Sequence, residues 1–341
     1  MAREGAPTEV RCSIGTRKYC NQSVANCVAI TTAGAHSVIV GLLRHGNSSQ
    51  KEIAVQVLTT LTEDAKSRKD IASTGVVLPL VSVLRDGTAT QKKDALRALA
   101  NLTLDDWNTS TITRTGATTL LVSIMKGGSI AEKDCAALAL ANLSADDWNR
   151  AIITRAGAIL PFATLLRDGT DRQKEIAAQA VSNLAVGDKN RNTIINAGGV
   201  LPLIKLLENG NDTQKEWSAQ ALSRFTVNDD WNCNFIRDNG AILPLVELLR
   251  DGTYKQKERA IVAVANFTID SWNHNRIKTT GAIPLLELLL RGGSSIQKKK
   301  AHAARALVNL AGRRQGYPDR LQPDNMHLHG DYQAGICTNR K

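Results

Sequence analysis

Across residues 173–185, Ala177, Ala180, Val181 and Leu184 recur at steps of three and four, with Lys174, Glu175 and Gln179 between them. That spacing lays one apolar stripe along a helix, and it predicts a helix over 173–185 with a single buried face. Residues 158–166 are apolar almost throughout and predict a second helix, with Pro161 in its first turn, where a missing N–H costs little. Arg167-Asp168-Gly169-Thr170 reads as the turn between the two. A shorter helix over 149–157 precedes them, with Asn149 as N-cap and Gly157 as terminator.

The same three-part pattern recurs. Glycines fall at Gly34, Gly75, Gly116, Gly157, Gly198, Gly240 and Gly281, and a second glycine follows each by 12 residues. A Gln-Lys-Glu-like triplet begins at 50, 91, 132, 173, 214 and 256, and an Asn-Leu or equivalent pair closes most units. A small residue recurs inside the long helix at Ala54, Ala95, Ala136, Ala177, Ser218, Ala260 and Ala303 and lets neighbouring helices approach closely. Three helices in about 41 residues cannot bury their apolar faces alone, so the units must stack.

Segments such as GAILPFATLLRDGTDRQKEIAAQAVSNLA (157–185) and GAILPLVELLRDGTYKQKERAIVAVANFT (240–268) resemble armadillo repeats. The likeness is greatest to plant U-box/armadillo proteins and more distant to importin-α and β-catenin. It covers residues 21–311: a partial unit to 33, full units from 34, 75, 116, 157, 198 and 240, and a last unit from 281. Residues 1–20 are expected to form a poorly ordered N-terminal segment. Residues 312–341, with Pro318, Pro323 and little apolar periodicity, are expected to form a mobile tail. The resemblance implies an all-α, right-handed superhelical solenoid. Its third helices would line a concave groove that holds a segment of a partner protein.

Numbered from the closing residue, the third helices give a row of Thr60, Asn101, Asn142, Asn183, Arg224, Asn266 and Asn309. Residues four and seven earlier share roughly the same face. The position four back reads Gln56, Arg97, Leu138, Gln179, Gln220, Val262 and Arg305. In importin-α a Trp at that position makes slots for lysine stems; every unit here lacks it. The carboxamides of Asn101, Asn142, Asn183 and Asn266 could hold an extended chain, with Arg97 and Gln179 beside them, or could bond their own loops. Trp217 lies seven residues before Arg224 and shares a face with Gln220. Trp and Arg are enriched in binding hot spots, so these three form a candidate anchor; the alternative is a Trp packed between repeats. The row Glu52, Lys93, Asp134, Glu175, Glu216 and Glu258 is mostly acidic and reads as a solvated face.

Four other tryptophans share one setting, in Asp105-Asp106-Trp107-Asn108, Asp146-Asp147-Trp148-Asn149, Asp229-Asp230-Trp231-Asn232 and Asp270-Ser271-Trp272-Asn273. Repetition at one position predicts a structural role, each Trp packing across a repeat junction and each Asn capping the next helix.

Composition adds little to this picture until charge is divided along the chain. Lys and Arg total 43 against 32 acids, a formal net charge of +11. Residues 34–290 hold 29 basic and 27 acidic residues, so the excess sits in the C-terminal repeat and tail. Arrays of this kind need polar terminal caps, and Lys298, Lys299 and Lys300 suit one. Six cysteines without a C-x-x-C pair predict reduced thiols, and no segment reads as a membrane span, signal peptide or lipid anchor. No phosphate loop, nucleophile elbow or zinc-protease motif occurs, so the expectation is a non-catalytic scaffold without cofactor or metal. It is expected in the cytoplasm, with the nucleus as a further location. Scarce aromatics on the third-helix rows argue against nucleic acid. A receptor for basic peptides of the importin-α kind and a substrate adaptor in ubiquitination are the alternatives.

Overall fold

The computed structural model describes residues 36–227, 230–269, 273–291 and 297–311, and among them every regular element is a helix. The expected N-terminal segment 1–20, the partial unit to 33 and the tail 312–341 lie outside the described residues. The chain divides into two compact units, residues 1–108 and 109–341.

The first unit holds α1 (His36–His45), α2 (Ser48–Leu61), α3 (Ala65–Ala72), α4 (Val77–Asp86) and α5 (Ala89–Leu102). α6 (Asp106–Arg114) begins in it and runs into the second. The second unit continues with α7 (Ala117–Gly127), α8 (Ile130–Leu143), α9 (Asp147–Arg155), α10 (Ile159–Asp168), α11 (Asp171–Leu184), α12 (Asp188–Asn196), α13 (Val200–Asn209) and α14 (Asp212–Phe225). It ends with α15 (Asp230–Asp238), α16 (Ile242–Asp251), α17 (Tyr254–Phe267), α18 (His274–Thr279), α19 (Ala282–Arg291) and α20 (Gln297–Ala311). The order short, intermediate, long repeats through both units, three helices to a period. Within the second unit α8, α11, α14, α17 and α20 pack in succession; in the first, α2 packs on α5.

The apolar stripe of α11 is core, with Ala177, Ala180, Val181 and Leu184 all fully buried. So is the row of small residues: Ala54, Ala95, Ala136, Ala177, Ser218, Ala260 and Ala303 are at most 2% exposed. Phe162, Phe225 and Phe267 are the largest fully buried side chains, each contributing roughly 1.5–3 kcal/mol by burial.

The long helices start earlier than expected. α11 begins at Asp171 because Thr170 is its N-cap: the Thr170 side chain accepts from the Gln173 N–H, and the Gln173 carboxamide oxygen accepts from the Thr170 N–H. The same capping box closes at Asn47/Gln50, Thr88/Gln91, Ser129/Glu132, Asn211/Gln214 and Thr253/Gln256. The first residue of each triplet is therefore the third residue of a helix, and losing the cap costs about 1 kcal/mol. Most of these glutamines also reach backwards. The amide of Gln91 donates to the Ser48 carbonyl at 2.9 Å, that of Gln214 to Asp171 at 2.8 Å and that of Gln256 to Asp212 at 2.9 Å. Gln173 donates to the Asp134 carboxylate at 2.8 Å. Arg167 and Asp168 belong to α10, so the expected four-residue turn shrinks to Gly169 and Thr170.

The two glycine series have different causes. Gly157 follows α9 with φ +81°, a left-handed conformation that a side chain would strain. Gly169 has φ −74°, which any residue adopts. A Cβ there would lie 2.4 Å from the Leu165 carbonyl oxygen, so the close approach excludes it.

Asn149 does not cap α9. Asp146 does, accepting from the Asn149 N–H at 3.0 Å, and Asn149 lies fully buried one turn inside. The equivalent Asn190 and Asn273 donate to the carbonyls of Leu184 and Phe267 at 3.0 and 2.9 Å. The next residue holds the capping carbonyl of the preceding long helix: Arg68 on Thr62, Arg150 on Ser144, Cys233 on Thr226 and His274 on Thr268. Helices this short are marginal alone, and these bonds dock them on the end of the helix before.

Candidate protein-interaction site

In the second unit, Gln179 and Asn183 lie on α11, Trp217, Gln220 and Arg224 on α14, and Asn266 on α17. These helices are successive neighbours, so the unit brings these residues to one set of adjoining helices. Asn142 is on α8 of the same set, half-buried. Arg97 and Asn101 lie on α5 of the first unit.

The Asn row is wired to the preceding repeat, not to its own loop. Asn101 donates to the Thr62 hydroxyl at 3.2 Å, Asn183 to the Ser144 hydroxyl at 3.2 Å, Asn266 to the Thr226 hydroxyl at 3.1 Å and Asn309 to the Thr268 hydroxyl at 3.0 Å. Each hydroxyl belongs to the residue that caps the previous long helix. Asn183 also donates to the Ala141 carbonyl at 3.4 Å, so both its amide N–H groups are committed inward and it retains the acceptor Oδ1 for a ligand; Asn101 spends one of its two N–H groups on Thr62. The Oδ1 of Asn266 accepts from Arg305 at 3.0 Å.

Arg224 stands where the Asn would be and donates through Nη1 to the Ser182 carbonyl. Trp217 and Gln220 are half-buried, and the Oε1 of Gln220 is a buried acceptor without a partner. In the seven-back row the flanking residues of the unit are Cys135 and Ile176, both buried, then half-buried Trp217, Arg259 and His302. Arg97 pairs with Glu63 at 2.6 Å on the surface. The acidic row is partly engaged, Asp134 by Gln173 and Glu175 by Asn211 at 3.5 Å.

The expectation of packed tryptophans is corrected. Trp107, Trp148 and Trp231 are 59%, 49% and 59% exposed. They are the second residues of α6, α9 and α15. Trp107 and Trp148 still meet the previous repeat, whereas Trp231 meets its own helix. Lys69 lies over the Trp107 ring at 5.2 Å and Arg114 over the Trp148 ring at 5.4 Å, while Trp231 stacks on Phe235 at 5.5 Å. Trp272 lies outside the described residues.

The sequence rows passed over Arg259 and Arg305. The Nε of each is buried without a partner. Burial pushes the Arg305 guanidinium below its ordinary pKa. Their places on the third-helix rows were legible in the sequence; their lack of an acid partner was not.

Among the described residues no group of three His, Cys, Asp or Glu side chains is placed to hold a metal, and no helix is long and apolar enough to cross a membrane.

No family model and no curated protein matches the chain. Solved structures do. An engineered protein, Northeast Structural Genomics Consortium target OR497, is 29% identical, with TM-score 0.74 over 84% of this chain and 71% of that one. The designed armadillo repeat protein YIII(Dq)4CqI is 25% identical, with TM-score 0.63 over 69% of this chain and 99% of its own. The designed armadillo repeat protein YIII(Dq.V1)4CPAF, solved in complex with the peptide (KR)4, is 24% identical, with TM-score 0.60 over 69% of this chain and 99% of its own. The chain shares with these designed proteins an armadillo-like fold, a solenoid of helical repeats.

Proposed function

We propose that the protein is a non-catalytic interaction scaffold, an armadillo array of the plant U-box/armadillo kind whose third helices in the second unit capture a segment of a partner protein. The observation that carries this is α14, where half-buried Trp217 and Gln220 and the Arg224 guanidinium share one face and the Gln220 Oε1 is buried without a donor. An orphaned buried acceptor is costly, and a main-chain N–H of an extended segment would satisfy it. Trp217 then offers the contact area typical of a hot spot. The retained Oδ1 of Asn183, on the helix before, gives a second acceptor for the same chain. One designed protein of this fold was solved with the peptide (KR)4; the residues on α14 are what favour peptide capture here. The importin-like alternative is disfavoured because the positions of its lysine-slot Trp hold Leu138, Gln179, Gln220, Val262 and Arg305.

The test is a peptide-array screen with the full chain, repeated with Trp217→Ala and Gln220→Ala. The expected result is at least tenfold weaker capture with an unchanged thermal midpoint, about 1.4 kcal/mol of binding lost per variant. Equal capture by all three proteins removes α14 as the site.

A further inference from the structure

We infer that the last two third helices of the second unit select a carboxylate in the captured segment, held between Arg259 of α17 and Arg305 of α20. The inference rests on the scaffold reading and adds to it the charge of the partner.

Arg259 lies seven residues before Asn266, and Arg305 four residues before Asn309, so both stand on the rows that face the candidate anchor. α17 and α20 are neighbours, and Arg305 Nη2 donates to the Asn266 Oδ1 at 3.0 Å, which fixes its guanidinium against α17. Both Nε donors are buried with no partner. Arg97, Arg172 and Arg191 also leave Nε buried without a hydrogen-bond partner, but each guanidinium reaches a carboxylate: Arg97 meets Glu63 at 2.6 Å, Arg172 meets Asp134 at 3.9 Å and Arg191 meets Asp188. Neither Arg259 nor Arg305 forms an ion pair among the described residues.

Taking a guanidinium out of water without an opposite charge is unfavourable, and the desolvated group binds an anion more strongly than an exposed one would. The planar fork fits a carboxylate through two parallel N–H donors. Glu216 and Glu258, one residue before Trp217 and Arg259, lie on the same two helices, α14 and α17. Their charge weighs more against a doubly charged phosphate than against a single carboxylate. The Gln220 acceptor on α14 and the two cationic donors on α17 and α20 then address one segment in order: a main-chain N–H first, an acidic side chain next.

The test uses the full chain and three fluorescent decapeptide pools, randomised except for a central Glu, Gln or phosphoserine. Fluorescence anisotropy should show the Glu pool bound about tenfold more tightly than the Gln pool, the preference vanishing in Arg259→Gln/Arg305→Gln and persisting in Arg259→Lys. Circular dichroism melts confirm that each variant is folded. Equal binding of the Glu and Gln pools overturns the acidic selection while leaving the scaffold standing. Binding of no pool overturns both. Tighter binding of the phosphoserine pool overturns the assignment to a carboxylate. If a variant with Asp319, Asp324 and Asp331 all changed to Asn binds the Glu pool tenfold more tightly than the natural chain, the site belongs to the chain's own C-terminal residues and the partner is overturned.

Discussion

Asn266 gives its side-chain N–H to the hydroxyl of Thr226 at 3.1 Å, the residue that caps the preceding third helix. Asn183 and Ser144 repeat the pair, as do Asn309 and Thr268. Where the capping residue is Ala185 there is no hydroxyl to receive the bond, and there the Asn is replaced by Arg224, whose longer side chain reaches the Ser182 carbonyl instead. The departures at 185 and 224 are two halves of one exchange. Thr226→Val keeps the shape and removes the acceptor; it should cost about 1–3 kcal/mol, the price of a buried amide left short. Arg224→Asn alone should destabilise and Arg224→Asn with Ala185→Ser should recover, a coupling that a double-mutant cycle in urea measures.

Alanine at the two kinds of glycine separates conformational strain from collision. Gly157→Ala is expected to cost about 1–2 kcal/mol for the left-handed backbone. Gly169→Ala, with an ordinary φ but a Cβ 2.4 Å from the Leu165 oxygen, should cost as much or more, in the range of about 1–3 kcal/mol for overpacking. A Gly169→Ala variant with the natural melting point would show that the turn between α10 and α11 opens freely.

The exposed tryptophans should be cheap to lose. Trp148→Ala removes a ring under Arg114 at the surface, worth about 0.5–1 kcal/mol, against about 3–5 for truncating a buried aromatic. Iodide quenching of the indole fluorescence, compared between the natural chain and the variant, checks the exposure directly.

Asp94 carries a pH dependence of known sign. Burial raises its carboxyl pKa, and the charges of Lys93 and Arg97 only partly oppose this. The folded state therefore favours the protonated form. Its stabilising contribution is present below the ordinary carboxylate pKa and is lost as pH rises through the folded value. Asp94→Asn should melt higher than the natural chain at neutral pH, with the gap closing as the solution is acidified. A gap that widens on acidification would reverse the assignment.

The period was legible because every unit repeats the same chemical punctuation. Gln173 shows where that legibility stops: its place in the triplet is plain, yet nothing in a carboxamide's identity says that its oxygen caps α11 while its nitrogen bonds Asp134. Asn149 was misplaced by three residues because Asp146, Asp147 and Asn149 are all good caps, and only the helix start decides among them. Trp148 was expected inside from the habit of its residue type; it stands exposed as the second residue of α9. On the third-helix rows, spacing put Arg97 and Arg305 at equivalent positions. That one meets Glu63 and the other no acid depends on loops a repeat away, which the spacing does not encode.

The backward-reaching glutamines make the array directional. Each new long helix brings donors for acceptors already displayed by the helix before it, the Gln214 amide for the Asp171 carbonyl and the Gln256 amide for that of Asp212. During synthesis the older helix emerges first with its carbonyl waiting, so each repeat can lock onto a finished template as it leaves the ribosome. Growth at the C-terminal end asks nothing new of the repeats already made, whereas a repeat inserted ahead of them must supply the acceptors they were built to find.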